Sequence, residues 1–338
     1  MWYDDLAAGY PGLSLCRVAM QERGLYRVLG EYGEQTAVVS GRFQHEVLTL
    51  SDYPAVGDYV MAELNGGDTA VIQRLLPRRS LFVRRAAGSA KSEQAVAANV
   101  DTVFLCMGLN NDFNLRRLER YLSVAWDSGA VPVAVLTKAD LCADLEEKLA
   151  EVKNTAIGVD IIVTSSMEDD GYSQITPYIT EGKTFAFVGS SGVGKSTMIN
   201  RLLGEERQGT NGLRSDGRGR HTTTRRELLL LPNGATLIDT PGMRELGMWD
   251  SESGIETTFA DIEALAAACR FGDCTHTGEP GCAVQAALES GELSKERWHS
   301  YKKLCAENTY EGSSESYLAA KEKKFKNISK INKARKKR

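Results

Sequence analysis

Through about residue 76 the apolar positions fall in short runs broken by glycine-bearing turns: LSLCRVAM, GLYRVLG, TAVVSGRF, EVLTL, VGDYVMAEL and, after an Asn-Gly-Gly-Asp turn, TAVIQRLL. No helical period runs through them. Five or six short strands with regularly spaced turns predict a small closed β-barrel of the OB kind over residues 1–76. The next stretch, PRRSLFVRRAAGSAK at 77–91, holds four Arg, one Lys and no acid, and reads as a basic linker or exposed loop spanning 77–95. From about residue 96 apolar strands alternate with amphipathic helical segments such as LRRLERYLSVAWDSG. The strands are TVFLCM (102–107), VPVAVL (131–136), DIIVT (160–164), TFAFV (184–188) and ATLID (235–239). That alternation predicts βαβ units and a mostly parallel sheet over 96–250. Past residue 250 the strands stop, and IEALAAAC, AVQAALESG and SKERWHSYKKLCAEN predict a mainly helical module over 251–338.

Composition agrees with this division. A chain of 338 residues accommodates two or three domains at about 150 residues each. With 42% hydrophobic and 25% charged residues it falls in the globular class, outside the collagen-like, disordered and membrane classes. No apolar run approaches the ~18 residues that cross a bilayer, and the acidic start Met-Trp-Tyr-Asp-Asp lacks the basic and apolar regions of a secretory signal. A cytoplasmic protein is expected. Seven cysteines, an odd number, point to reduced thiols or metal ligands rather than a disulfide framework. The net charge of −4 conceals an asymmetry: residues 321–338 hold ten Lys/Arg and one Glu, leaving −13 on the remainder. Such a tail is either a polyanion-binding arm, with nucleic acid the commonest polyanion, or a solvated, frayed end.

Three motifs carry nucleotide chemistry. Gly189-Ser190-Ser191-Gly192-Val193-Gly194-Lys195-Ser196, followed by Thr197, fits G-x-x-x-x-G-K-[ST] between strand TFAFV and the helical STMINRLLG. Glycines there let backbone N–H groups curl around phosphates at a helix N-terminus, Lys195 reaches the β- and γ-phosphates, and Ser196 offers its hydroxyl to Mg²⁺. A chance Gly-rich turn would not have strand and helix on the correct sides. Asp239-Thr-Pro-Gly242 ends the next strand and fits D-x-x-G, the aspartate supporting Mg²⁺ and the Gly242 N–H contacting the γ-phosphate. Thr137-Lys138-Ala139-Asp140 fits [NT]-K-x-D after VPVAVL. The Asp140 carboxylate accepts from both N1–H and the exocyclic amine of guanine, donors that adenine does not present there. On its own this tetrapeptide is an ordinary polar loop; beside a P-loop it converts a generic phosphate site into a GTP site. Thr164-Ser165-Ser166 is the expected companion loop, offering a backbone N–H to guanine O6.

Between P-loop and D-x-x-G, residues 211–226 are rich in Gly and Arg with Thr222, Thr223 and Thr224 in a row, the composition of a loop. A threonine hydroxyl, with Thr223 favoured, is the expected second Mg²⁺ contact beside Ser196 and Asp239. Where many GTPases place a water-orienting Gln, this chain has Met243, whose thioether cannot do that work. His221 is the nearby side chain suited to position water; the competing reading is a loop histidine facing RNA or solvent. The expected catalytic set is Lys195, Thr223 and His221. Farther on, Cys269-x4-Cys274-x-His276-x5-Cys282 is a closed four-ligand set, the pattern of one structural Zn²⁺ with no vacancy for a reacting water.

The order is unusual, because the guanine-reading element precedes the P-loop. With LTKAD at 136–140, GSSGVGKST at 189–197, GRGRHTTTR at 217–225, DTPGMRELG at 239–247 and CRFGDCTHTGEPGC at 269–282, essentially the whole chain resembles the circularly permuted, small-ribosomal-subunit-dependent GTPases of the RsgA family. The resemblance implies a multidomain fold: an OB-like barrel, a permuted α/β P-loop GTPase domain and a zinc-binding helical domain. It further implies Mg²⁺-assisted GTP hydrolysis to GDP stimulated by the 30S subunit, with a hydrophobic residue in the usual place of Gln. Contacts of barrel and zinc module with 16S rRNA, a checkpoint role in late 30S assembly, no membrane partner and a monomeric state are implied with it. Tyr26, Tyr32 and Phe43 of the barrel are either RNA-facing or packed. Two rivals differ in class: a GTP-gated RNA-binding factor with negligible turnover, which Met243 keeps open, and a small-molecule P-loop kinase, which the TKAD element and basic tail oppose.

Overall fold

The computed structural model describes residues 2–22, 24–64, 69–85, 93–167, 171–204, 227–239 and 252–307, and the structural statements below concern these. Five strands, β1 (Ser14–Glu22), β2 (Leu25–Gly30), β3 (Gly33–Val39), β4 (Tyr59–Glu63) and β5 (Thr69–Leu75), pair in the order β1-β2-β3-β5-β4. A further β4–β1 pairing closes the ring, so the barrel has no free edge. β1 spans nine residues and serves both neighbours, Ser14–Arg17 facing β4 and Arg17–Glu22 facing β2, with an irregularity between Val18 and Met20 where it turns the corner. Alternation puts Val18, Tyr26, Val28, Ala37, Val60, Ala62 and Ile72 inside. Tyr26 and Phe43 are core residues, whereas Tyr32 is exposed.

Two expectations for this region are corrected. EVLTL is not a strand: Ser40 accepts from the Phe43 N–H at 3.1 Å and starts a helix, α2 (Gly41–Glu46), and a 3₁₀ turn follows at Leu50–Asp52. Within EVLTL the Val47 N–H donates to the Phe43 carbonyl at 3.1 Å and the Thr49 N–H to Asp52 Oδ2 at 2.9 Å, so these donors are met locally rather than in a ladder, and Leu48 is left in solvent. A helix also precedes the barrel, α1 (Trp2–Ala7).

The stretch 77–91 is likewise more than a linker. β6 (Leu81–Arg85) and β7 (Glu93–Ala98) form an antiparallel pair, and Phe82 is buried in the same core as the central domain. Arg78 is spent on structure: its Nε and Nη2 donate to both oxygens of the fully buried Asp58, at 2.8 and 2.7 Å, and Nη2 also donates to the Tyr53 carbonyl. A buried carboxylate is tolerated when paired bidentately in this way.

The central sheet contains β8 (Thr102–Gly108), β9 (Val131–Thr137), β10 (Asp160–Val163), β11 (Thr184–Gly189), β12 (Glu227–Leu230) and β13 (Thr236–Asp239). Their order is β10-β9-β8-β11-β13-β12, parallel except for β12. The interior strands are apolar throughout because both faces are covered, in part by α3 (Leu115–Ser128), α4 (Leu145–Thr155) and α5 (Lys195–Leu203). Met20 of β1 pairs with Glu227 of β12, and Arg17 crosses from the barrel to donate to Thr236 Oγ1 at 3.0 Å and Thr184 Oγ1 at 2.5 Å. Beyond the sheet lie α6 (Glu252–Thr258), α7 (Ala260–Ala267), α8 (Ala283–Ser290) and a helix over residues 295–307, here α9.

Candidate nucleotide site and metal centre

β8, β9, β10, β11 and β13 run parallel, so their C-terminal ends share one edge, where open α/β sheets bind ligands. Gly189 ends β11 in the middle of that edge. A Cβ on Gly189 would stand 2.4 Å from the Cys106 carbonyl of β8, so only glycine lets the two backbones approach. Gly192 and Gly194 follow at φ 77° and 105°, turning the chain into α5, whose first residue is Lys195. Lys195 is buried, and its Nζ donates to the Gly189 and Ser190 carbonyls at 2.6 and 2.5 Å. Ser190, Ser191, Val193, Ser196 and Thr197 complete this turn and the first residues of the helix; Val193 is in the core and Ser191 is exposed.

The TKAD loop leaves β9, two strands away, and bonds directly to the P-loop: Thr137 Oγ1, buried, donates to the Val193 carbonyl at 2.7 Å. Lys138 takes a left-handed conformation, φ 61°, that swings the chain so that Asp140 reaches the surface. The Ala139 N–H donates to the Thr164 carbonyl at 3.2 Å, and Ser165 Oγ donates to Asp140 Oδ1 at 2.6 Å. The hydroxyl of Ser165, rather than its backbone alone, thus orients the aspartate; a serine beside a strand end gave no sequence signal for this. Ser166 is exposed next to it, and Asp239 ends β13 on the same edge. Sequence reasoning missed Asp112, whose Oδ2 accepts from Ser190 Oγ at 2.7 Å. His221, Thr223 and Gly242 lie outside the described residues.

Cys269, Cys274, His276 and Cys282 converge, all four ligand atoms lying within 4.8 Å of one another. Bond lengths of about 2.3 Å to sulfur and 2.05 Å to nitrogen make a tetrahedral zinc's edges about 3.8 Å for S–S and 3.5 Å for S–N. The observed edges are 3.9 Å for Cys269–Cys282 and 3.5 Å for His276 Nδ1 to each of these sulfurs. The donor set therefore fits such an ion. His276 adopts φ 58°, its carbonyl accepts from Gln285 Nε2, and its ring meets Trp298 edge-on at 5.7 Å. Burial works to raise the Cys269 thiol, but the Val284 and Ala283 N–H groups at the start of α8 bring it below its ordinary value; Cys274 is pushed up to about 11, mainly by burial.

A P-loop strand flanked by the strand of D-x-x-G on one side, with the TKAD strand earlier in the chain, defines a circularly permuted P-loop GTPase. A family model described as RsgA GTPase matches residues 75–249, and the chain belongs to that family. It is 50% identical to the "Small ribosomal subunit biogenesis GTPase RsgA 2" of Lactiplantibacillus plantarum, over 89% of this chain and 85% of that one. The protein of Opitutus terrae named "Small ribosomal subunit biogenesis GTPase RsgA" is 50% identical over 87% of this chain and 83% of its own. Among solved structures, YjeQ from Thermotoga maritima is similar with TM-score 0.64 and 26% identity, over 86% of this chain and 97% of that one. YloQ, described as a circularly permuted GTPase, gives TM-score 0.63 and 26% identity, over 88% and 96%.

Proposed function

We propose that this protein binds GTP with Mg²⁺ at the C-terminal edge of the central sheet, hydrolyses it to GDP and phosphate, and uses the cycle to engage and leave the small ribosomal subunit late in its assembly. The observation that supports the nucleotide reading is the Thr137–Val193 bond, which joins the TKAD loop to the G-x-x-x-x-G-K-S loop. In this reading the backbone of Gly189–Gly194 and the Lys195 ammonium hold phosphates, and Asp140, oriented by Ser165, reads the guanine edge. Ser196 and Asp239, both hard oxygen donors, would hold Mg²⁺, which neutralises charge on the transferred phosphate. Thr223, Gly242 and His221 are proposed to complete the site. The names of the relatives support the small subunit as partner, and the Lys-rich tail supports contact with its 16S rRNA. A monomer working in the cytoplasm is part of the proposal; among the described residues no helix is long and apolar enough to cross a membrane.

The test is steady-state GTP hydrolysis with and without purified 30S subunits, with 50S subunits as control. A large increase with 30S alone is expected. Tight GTP binding without any increase would favour a GTP-gated RNA-binding factor, the reading that Met243 supports, and would remove His221 from the catalytic set.

A further inference from the structure

Between β8 and α3 the chain makes a tight loop, Gly108 to Asn114, whose construction serves one side chain. The Asp112 carboxylate accepts from the P-loop hydroxyl of Ser190 at 2.7 Å and from the Gly108 N–H at 3.3 Å, while its Oδ1 pairs with Arg117 of α3 at 2.8 Å. Arg117 also donates to the Asp112 carbonyl, and Asn110 Oδ1 accepts from the Asp112 N–H at 3.2 Å. A carboxylate beside a phosphate loop opposes anion binding by its charge. Arg117 offsets that charge, leaving the directional bond to Ser190.

The same helix seats the C-terminal module. Glu119, fully buried, accepts from Arg297 at 3.3 Å and from Ser300 Oγ; Arg297 also grips Asp261 at 2.7 and 2.8 Å and the Thr258 carbonyl at 3.0 Å. Arg120 pairs with Glu307 at 2.6 Å. A Cβ on Gly254 of α6 would lie 2.0 Å from the Ser123 carbonyl, so the backbones of α3 and α6 touch. Trp298 and Cys282 belong to the same core cluster as α3. Close-packed elements of this kind move together rather than deform.

Resting on the nucleotide site proposed above, we propose that Asp112 is a positioning residue for the phosphate loop, and that through Arg117 it couples the loop to the metal-bearing module seated on α3. Coupling between sites is reciprocal and ordinarily worth five- to 150-fold in affinity. The full-length, metal-loaded protein is titrated with fluorescently labelled GDP, and amide exchange over 115–128 and 252–307 is followed with and without saturating GDP. In Asp112→Ala the affinity is expected to fall about five- to tenfold. The GDP-induced change in exchange over 252–307 should disappear, while Asp112→Asn, which keeps an acceptor for Ser190, stays within about twofold of wild type in affinity. Should Asp112→Ala fail to fold, Ser190→Ala cuts the same bond from the other side and must lower affinity likewise. Unchanged affinity and unchanged exchange response in these variants, with wild type binding GDP, overturn the inference alone. Absence of GDP binding by the wild type overturns the nucleotide reading and this inference with it.

Discussion

The metal centre and the nucleotide site are assembled in opposite ways. Four metal ligands lie within fourteen residues, Cys269 to Cys282, in a stretch that is largely exposed or half-buried and has little apolar surface of its own to bury. Turns bring the ligands together, with positive φ at His276, Gly278 and Gly281 and Cys282 capping α8. The proposed nucleotide site draws instead on residues from Thr137 to Asp239, and on Asp112, carried on strands whose own cohesion is the buried core of Phe104, Phe185 and Phe187. One set of groups is local, and an ion held there would fix its shape; the other is non-local and rides on a sheet with a core of its own. Loss of a ligand group should therefore damage structure in the first and chemistry in the second.

The largest effect tests the first half of that contrast. Structural zinc is worth about 10–16 kcal/mol to small modules. Chelation, or Cys274→Ser, is expected to abolish metal content and strip amide protection from 269–290, while labelled GDP still binds the central domain. Loss of GDP binding together with the metal would show that the two sites do not fold separately. Gly189→Ala breaks the contrast deliberately, because Gly189 is both phosphate loop and sheet contact. With its Cβ 2.4 Å from the Cys106 carbonyl, it is expected to cost about 3 kcal/mol of stability as well as nucleotide affinity, read by denaturant melts and titration. Asp140→Asn sharpens the contrast from the other side. Asp140 is exposed in the short turn after β9, so melting should stay unchanged while GTP affinity falls about 100-fold. Xanthosine triphosphate, with a carbonyl where guanine has its amine, should gain.

The smallest effect concerns the seat between the two regions. Arg120 and Glu307 are each about one-third exposed, at 31% and 35%, so Arg120→Ala should cost well under ~1 kcal/mol. Arg120 beside Glu307 holds that carboxyl below its ordinary 4.5. A depressed acid contributes stability that is complete above 4.5 and lost as pH falls through the lower, folded value. The difference between wild type and Arg120→Ala in paired melts should accordingly be constant from pH 7 to about 5 and shrink below 4.5.

Much of this was written locally. The central strands were legible because strands buried on both faces read as unbroken apolar runs, and α3 because LRRLERYLSVAWDSG carries its apolar residues on one helical face. β12 was missed: it is four residues long, with Leu230 in solvent, too short for a period. EVLTL misled because its apolar residues suggested a strand while Ser40 was already capping a helix. The hairpin of β6 and β7 hid under the arginines that flank Phe82.

Sequence alone determined the motifs whose chemistry depends on spacing: the P-loop, TKAD, and the four Cys/His ligands, since turns and strand ends place neighbours in chain automatically. Tertiary structure decided everything that depends on which strand lies beside which. It closed the barrel through β1 and β4, and it set Thr137 against Val193 across 56 positions of sequence. It also brought Asp112 to Ser190 and Glu119 to Arg297, 78 and 178 positions apart. Those contacts exist only after the hydrophobic faces of sheet and helices have been buried together, and no local pattern encodes a partner that far along the chain.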